Sequence, residues 1–583
     1  MGLYVIAAAA AALALVSCSQ HPYDGAAVAT STAELPDINA LVTKSDGETT
    51  PSQALHLMQR GDAAAAIAAY RRYHDAVGYH DFDVIKKMAT ILLEQGHTSY
   101  DVEEQMLTVY GAGIVGTSEM LPILYNAAMG GNATIQLAAI HFLDTLSNDY
   151  ADDIINRSIG SSYLSTRLEA TYCLAMKRYH TALGQIEALM AKAPQKIQHV
   201  FPELLAIEGS ARATTLLRRL LNDGDNGVRI EAIVNAARYG RDDLLNDIRL
   251  LATDTTSNHQ EACAWALGAL KDTSSTDVLR TLVTSPLDNV SLAAAYALYT
   301  LGDAAAADII PSQARKGNIF AIALLGDISG TEELLNDIMM TTTGAPRLNA
   351  AVALLDLRDP RSIEGLYNVI ISDNDTYAVM PYTSPGKALS ALKPVMPPHD
   401  SESFFAYTTA TSLTVRKRLL TKALDLPEQH FLSLAEGIFS AKQNDLVPTL
   451  VTLLENLSTP DATALLHRQQ QHPGAPLIRD YCNLALFRMK EGAIYEKNLE
   501  QWISRQHDHD LIQFQAFVPW GMHRPSLLYE LTPHETAQLL IESYQALAQS
   551  QTEKGVEALL DAIAHSSNKN KYALAGLLIR AIE

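Results

Sequence analysis

Four cysteines in 583 residues leave little material for a disulfide framework. Aromatic residues are scarce at 7%, with only three Trp, and that disfavours strands and leaves Ala- and Leu-rich helices as the main packing material. Positive charge is also short: 44 Lys and Arg face 65 Asp and Glu, a net charge of −21. Phosphate recognition needs clustered cations, so this balance argues against a nucleic acid as the main partner. The apolar run Leu3–Val16 covers fourteen residues, short of the roughly 20 that a spanning helix requires. No GxSxG elbow, P-loop or kinase signature occurs.

What is present is a folded, repetitive chain. Apolar residues reach 48% and charged residues 19%, enough to bury a sizeable core. Three segments align without gaps: ALGALKD (Ala266–Asp272), ALYTLGD (Ala297–Asp303) and ALLDLRD (Ala353–Asp359), with AARYGRD (Ala236–Asp242) in the same frame. Weaker copies begin at Val109, Phe142, Cys173, Leu205 and Ala323, and ALFRMKE (Ala485–Glu491) repeats the frame late in the chain. Successive starts from 109 to 353 differ by 33, 31, 32, 31, 30, 31, 26 and 30 residues. Each unit reads as two helices: Ile230, Ile233, Val234 and Ala237 form one apolar face, and Leu244, Leu245, Ile248 and Leu251 a second. Gly240 or Gly302 can end the first helix left-handed, and Asp242, Asp303 or Asp359 can cap the second. A lone pair cannot bury its stripe, so neighbours must stack. The frame places Leu267, Leu298, Leu354, Ala266, Ala297 and Ala353 between helices.

A period near 31 with two helices per unit resembles the short bacterial HEAT repeat. The resemblance implies an all-α fold, an α-α superhelix over residues 97–372, and carries no chemistry of its own. Residues 51–96, with Ala54-Leu55, Gly61-Asp62, Ala66-Ile67 and Tyr70, resemble half of a tetratricopeptide repeat and read as a helical N-terminal cap. Prolines 381, 385, 394, 397 and 398 break the array over 373–400. Residues 401–583 read as a degenerate helical continuation.

The N-terminus carries a second resemblance. Leu15-Val16-Ser17-Cys18 closes the apolar run and resembles the lipobox of bacterial lipoprotein signals, although Met1-Gly2 carries no Lys or Arg. The resemblance implies a signal peptide over 1–17, removed in the mature protein, and acylation, palmitate included, at Cys18. Two or more acyl chains give stable membrane attachment. Ser19-Gln20 in place of Asp resembles outer-membrane sorting, which implies a periplasm-facing envelope protein. Residues 18–50 are polar and rich in Pro and Gly, a tether with a reach of roughly 30 Å.

Few constellations suggest chemistry. Gly111-Ala112-Gly113-Ile114-Val115-Gly116 spells GxGxxG, but a dinucleotide site needs a preceding strand, and Val102–Tyr110 has helical period. The six residues are expected to form an inter-helix turn. Cys173, Cys263 and Cys482 fall at core phases of their repeats. His507-Asp508-His509-Asp510 lacks a spaced ligand set for a metal. Neither a metal, a cofactor nor a small-molecule substrate is expected. The loop Phe514–Pro533 combines Trp520 and Arg524 with prolines, which suits either an interface hot spot or, preferably, a seal over the array's end. The second helices carry Arg218, Arg219, Arg249 and Arg280 at related phases. These four, with Trp520 and Arg524, are the candidates for binding a protein partner. Arg249 itself reads as a surface residue whose loss leaves stability unchanged. The leading reading is a non-catalytic, lipid-anchored scaffold; the alternatives are an enzyme resembling the HEAT-like chromophore lyases, or a cytosolic adaptor if residues 1–17 are not a signal.

Overall fold

The computed structural model describes residues 50–253, 257–303, 306, 308–371, 416–441, 445–506, 511, 535–565 and 569–583. Among them all regular structure is helical. Cys18, the 373–400 segment, His507–Asp510 and the loop with Trp520 and Arg524 lie outside the described residues. Among the described residues no helix is long and apolar enough to cross a membrane. The described residues divide into two compact units: one is built from those within 50–146 and 503–583, the other from those within 147–502.

The second unit is an α-α solenoid. First helices at Phe201–Glu208, Asn226–Arg238, Ser257–Ala269 and Asp288–Thr300 each contact the next, and second helices at Ala211–Leu220, Leu245–Ala252 and Thr276–Val283 alternate with them. The repeated seven-residue motif turns out to be a helix stop. Its sixth residue has positive φ in five copies: Arg178, Lys271, Gly302, Arg358 and Lys490. The seventh residue then returns its backbone N–H to the carbonyl of the second. Asp272 donates to Leu267 at 3.0 Å, Asp303 to Leu298 and Asp359 to Leu354 at 2.9 Å, and Glu491 to Leu486 at 3.0 Å. This is the Schellman closure. Lys or Arg in the left-handed position tolerates some steric strain but sets a cation at the negative end of the helix. In the copy at Ala236 the stop comes one residue early, with Gly240 left-handed and Arg241 donating to Ala236 at 2.8 Å.

The capping expectation holds in part. Asp359 accepts from the Arg361 N–H at 2.9 Å, and Asp272, at the same motif position, accepts from Ser274 at 3.2 Å. Asp242 instead begins a short 3-10 turn and makes no side-chain cap. Leu267, Leu298, Leu354, Ala266, Ala297 and Ala353 are all buried, as are Cys173, Cys263 and Cys482. Truncating Leu298 to Ala is expected to cost roughly 2–5 kcal/mol through lost transfer energy and residual cavity. Hydrogen exchange over 276–315 checks it, because a repeat array can open locally.

The first unit joins both ends of the chain. Helices Ala63–Val77, Phe82–His97 and Val102–Val115 begin at Asp62, Asp81 and Asp101, whose carboxylates accept from backbone N–H groups of the first turn. Against them lie Glu535–Ser550, Glu553–His565 and Asn570–Ile582. The last of these is buried nearly all round, from Tyr572 through Leu577, Leu578 and Ile579, the mark of a helix inside a core.

Here one expectation is corrected. Gly111 to Val115 form no turn but continue the helix Val102–Val115, and only Gly116 leaves it, at φ 67°. The glycines serve a helix crossing instead. A Cβ on Gly576 would stand 2.1 Å from the Gly111 carbonyl oxygen, and one on Gly111 would stand 2.6 Å from that of Tyr572. Gly113 makes room for the Phe142 ring, 2.2 Å from where its Cβ would be. Gly576→Val therefore forces two backbones apart. Its expected effect is loss of cooperative unfolding in the first unit, read as collapsed exchange protection over 82–115, while protection over 226–300 persists.

Candidate functional site

The candidate arginines sit on consecutive second helices, and the structure shows what each touches. Arg218, Arg249 and Arg280 are 31 residues apart, so helix stacking puts them in the same place on three repeats. Each reaches the following repeat. Arg218 donates from Nε to Asp247 at 2.8 Å and from Nη2 to the Asp243 carbonyl at 3.2 Å. Arg249 grips Asp272 with Nε and Nη2 at 2.6 and 2.7 Å, and reaches Asn246 with Nη1 at 2.8 Å. Arg280 donates to Asp303 at 3.2 Å and lies 3.8 Å from Asp277. Arg219 is exposed and, among the described residues, stands in no ion pair.

The stripe is thus an inter-repeat ladder of ion pairs, not an uncompensated basic face. Its rungs differ in strength. The Arg249 side chain is 29% exposed and that of Asp272 only 4%, whereas Arg280 is 61% exposed and its pair is correspondingly weak. The Arg249 guanidinium holds the Asp272 carboxyl below the usual carboxylate range, outweighing the opposing effect of burial. Two parallel N–H bonds to a buried carboxylate are the strong form of this contact. A partner carboxylate approaching the face finds donors at Arg219 and Arg280 and must displace Asp272 to reach the forked edge of Arg249.

A second polar group lies on the first helices and went unnoticed in the sequence. Tyr239 donates to Glu203 at 3.0 Å, with Arg238 3.5 Å from the same oxygen. Asn235 donates to the Glu231 carbonyl at 2.8 Å and to its carboxylate at 3.2 Å. Burial pushes the Glu231 carboxyl up, against the pull of Arg238 and His199. The available signal was Glu231 and Glu261, one repeat apart at the same motif phase. Among the described residues, no group of His, Cys, Asp and Glu is arranged to hold a metal ion.

Residues 213–299 and 248–318 match, in two overlapping spans, the family model described as HEAT repeats. These are HEAT-type repeats. The ladder from Arg218 to Asp303 lies inside the matched HEAT stretch. No curated relative matches the chain. Among solved structures, UNC-45 from Drosophila melanogaster is 13% identical, covering 91% of this chain and 82% of that one, with a TM-score of 0.28. Importin beta is 9% identical over 92% and 90%, TM-score 0.30, and Kap121p 11% identical over 91% and 66%, TM-score 0.27. Likenesses at these scores carry no argument; the fold rests on the helices and the HEAT match.

The geometry revises the expectation for Arg249. Arg249→Ala strands the buried Asp272 carboxylate and is expected to cost about 1.5–3 kcal/mol, the range for hydrogen bonds to a charged group. Arg219→Ala should stay within about 0.5 kcal/mol. The Asp272 carboxyl titrates lower in the folded than in the unfolded chain. The pair's contribution is therefore complete above the ordinary value of 3.8 and is lost as pH falls through the folded value. Urea unfolding read by exchange over 245–283, at pH 7 and pH 3, separates the two arginines: the Arg249 effect shrinks in acid.

Proposed function

We propose that this chain is a non-catalytic scaffold of the bacterial cell envelope that holds another protein on its HEAT-type repeats and is anchored by lipid at Cys18. The observation that carries the binding role is the register of the second helices, which sets Arg218, Arg249 and Arg280 at one place on three successive repeats. Stacked repeats offer an extended face with periodic contacts, suited to a long partner surface. On that face Arg219 and Arg280 meet a partner first, because Arg249 is committed to Asp272. Trp520 and Arg524 remain candidates for the same partner. The anchor rests on the Leu15–Cys18 tetrad behind its apolar run, and the residues after Cys18 support the outer membrane, facing the periplasm.

Crosslinking in intact cells followed by mass spectrometry tests the binding face. A discrete partner should crosslink to 211–220 and 276–283, and Arg219→Glu with Arg280→Glu should abolish those links while circular dichroism stays unchanged. Links that survive both reversals would mean that Arg219 and Arg280 do not hold the partner, and links confined to other helices would place it elsewhere. Labelled palmitate should enter the wild type and be absent from Cys18→Ala; equal labelling of the two removes the anchor from the proposal.

A further inference from the structure

Within the first unit, one contact between the chain's two ends is built from titratable groups. Tyr70, on Ala63–Val77, is fully buried, and His80, in the turn after that helix, has a side chain only 3% exposed. The Asp81 N–H donates to the Tyr70 oxygen at 3.1 Å, and the Tyr70 oxygen lies 3.2 Å from His80 Nδ1. Burial pushes the Tyr70 phenol well above its usual range, so it keeps its proton and donates it to Nδ1. That fixes neutral His80 with its proton on Nε2, directed at Glu557 on Glu553–His565, 3.6 Å away. Arg71 holds the other Glu557 oxygen through Nε and Nη2 at 3.2 and 3.1 Å, and reaches Asp561 at 3.3 Å.

We propose that Tyr70, His80 and Glu557 form a pH-sensitive latch that holds helix Glu553–His565 on helix Ala63–Val77 while His80 is neutral and loosens it when His80 is protonated. A proton added to Nδ1 meets the Tyr70 hydroxyl proton, so the hydroxyl must rotate about its C–O bond, giving up its donor bond to His80 and leaving its own proton without an acceptor in the buried contact. The charged groups around His80 favour its cation on balance, and burial outweighs them. Glu557 and Glu553 on the facing helix attract it. Arg71 already compensates Glu557, and Asp81 is occupied by its own cap and by the Tyr73 hydroxyl at 3.1 Å. On the other side the His74 ring stacks on His80 with centroids 4.4 Å apart, putting a second imidazole face to face with the first. Burial is the largest influence and lowers the His80 value below 6.5, with His74 adding to it and Glu557 opposing. A group that titrates lower when folded stabilises the folded contact fully above its unfolded value, and that stabilisation falls as pH drops from 6.5 to the folded value.

The test is hydrogen exchange on the full chain at pH 7.5 and 5.5, expressed as protection factors to remove the intrinsic pH dependence. Protection over 553–565 and 63–77 should fall on acidification, by at most about tenfold, the ceiling for a histidine that stays neutral one pH unit below 6.5. Protection over 288–300 should not fall with it. His80→Gln, which cannot titrate, should lose this pH dependence, and His74→Gln should keep it. Unchanged protection in the wild type, or the same acid-induced loss in His80→Gln, overturns the latch. Should His80→Gln fail to fold, an NMR titration of His80 in the wild type decides: a value at or above 6.5 overturns the proposal, and one below it upholds it.

Discussion

The solenoid depends on where the first helix of each repeat stops. The left-handed residue at the sixth motif position and the returning N–H of the seventh fix that point in copies from Arg178 to Lys490. A slip of one residue rotates every side chain beyond it by about 100°, which would carry the buried Leu279 and Leu282 of the following helix out of the stack. The same stop sets the direction of the chain into the next helix. It also places the seventh residue at the repeat boundary, where Asp272 and Asp303 receive the arginine of the preceding repeat. Core burial, helix spacing and the ion-pair ladder are three consequences of one backbone closure.

The first unit solves a different problem. Its central helix, Asn570–Ile582, comes late in the chain and is buried all round from Tyr572 to Ile579, so it must be enclosed by helices made much earlier. Enclosure at backbone distance requires glycine on both sides, and Gly111 and Gly576 meet there. Gly96 extends the contact by making room for the Tyr572 ring. Polar contacts then fix the rotation of the enclosed segment: Lys569 pairs with Asp101 and Glu103, and Lys86 with Glu583.

The repeat was legible because its signal is local. The motif, its left-handed residue and the buried Leu all fall within seven residues, and repetition averages out the noise of any one copy. The ladder was half legible. Arg218, Arg249 and Arg280 recur at 31 residues, and so do Asp272 and Asp303, but nothing in either series says that one reaches the other across 23 positions. Arg249 was consequently read as a surface residue. The GxGxxG segment misled for a related reason. Glycines suggest a turn when only neighbours are considered, and the backbone that requires Gly111 lies at Tyr572 and Gly576, at the far end of the sequence. The Glu231 and Glu203 group was hidden inside helices whose other faces are apolar.

The ladder also determines which cations remain for a partner. Each exposed rung is worth little alone, because solvent screens it and long side chains lose freedom in making it. The Arg249–Asp272 rung differs, since its carboxylate is buried and cannot turn to water when the arginine leaves. A ligand carboxylate would therefore take Arg280 from Asp303 at small cost but compete for Arg249 against a buried carboxylate left with only the weaker bond from the Ser274 N–H at 3.2 Å. A partner held on this face would be held mainly at the exposed ends of the ladder, while its middle rung keeps two repeats in register.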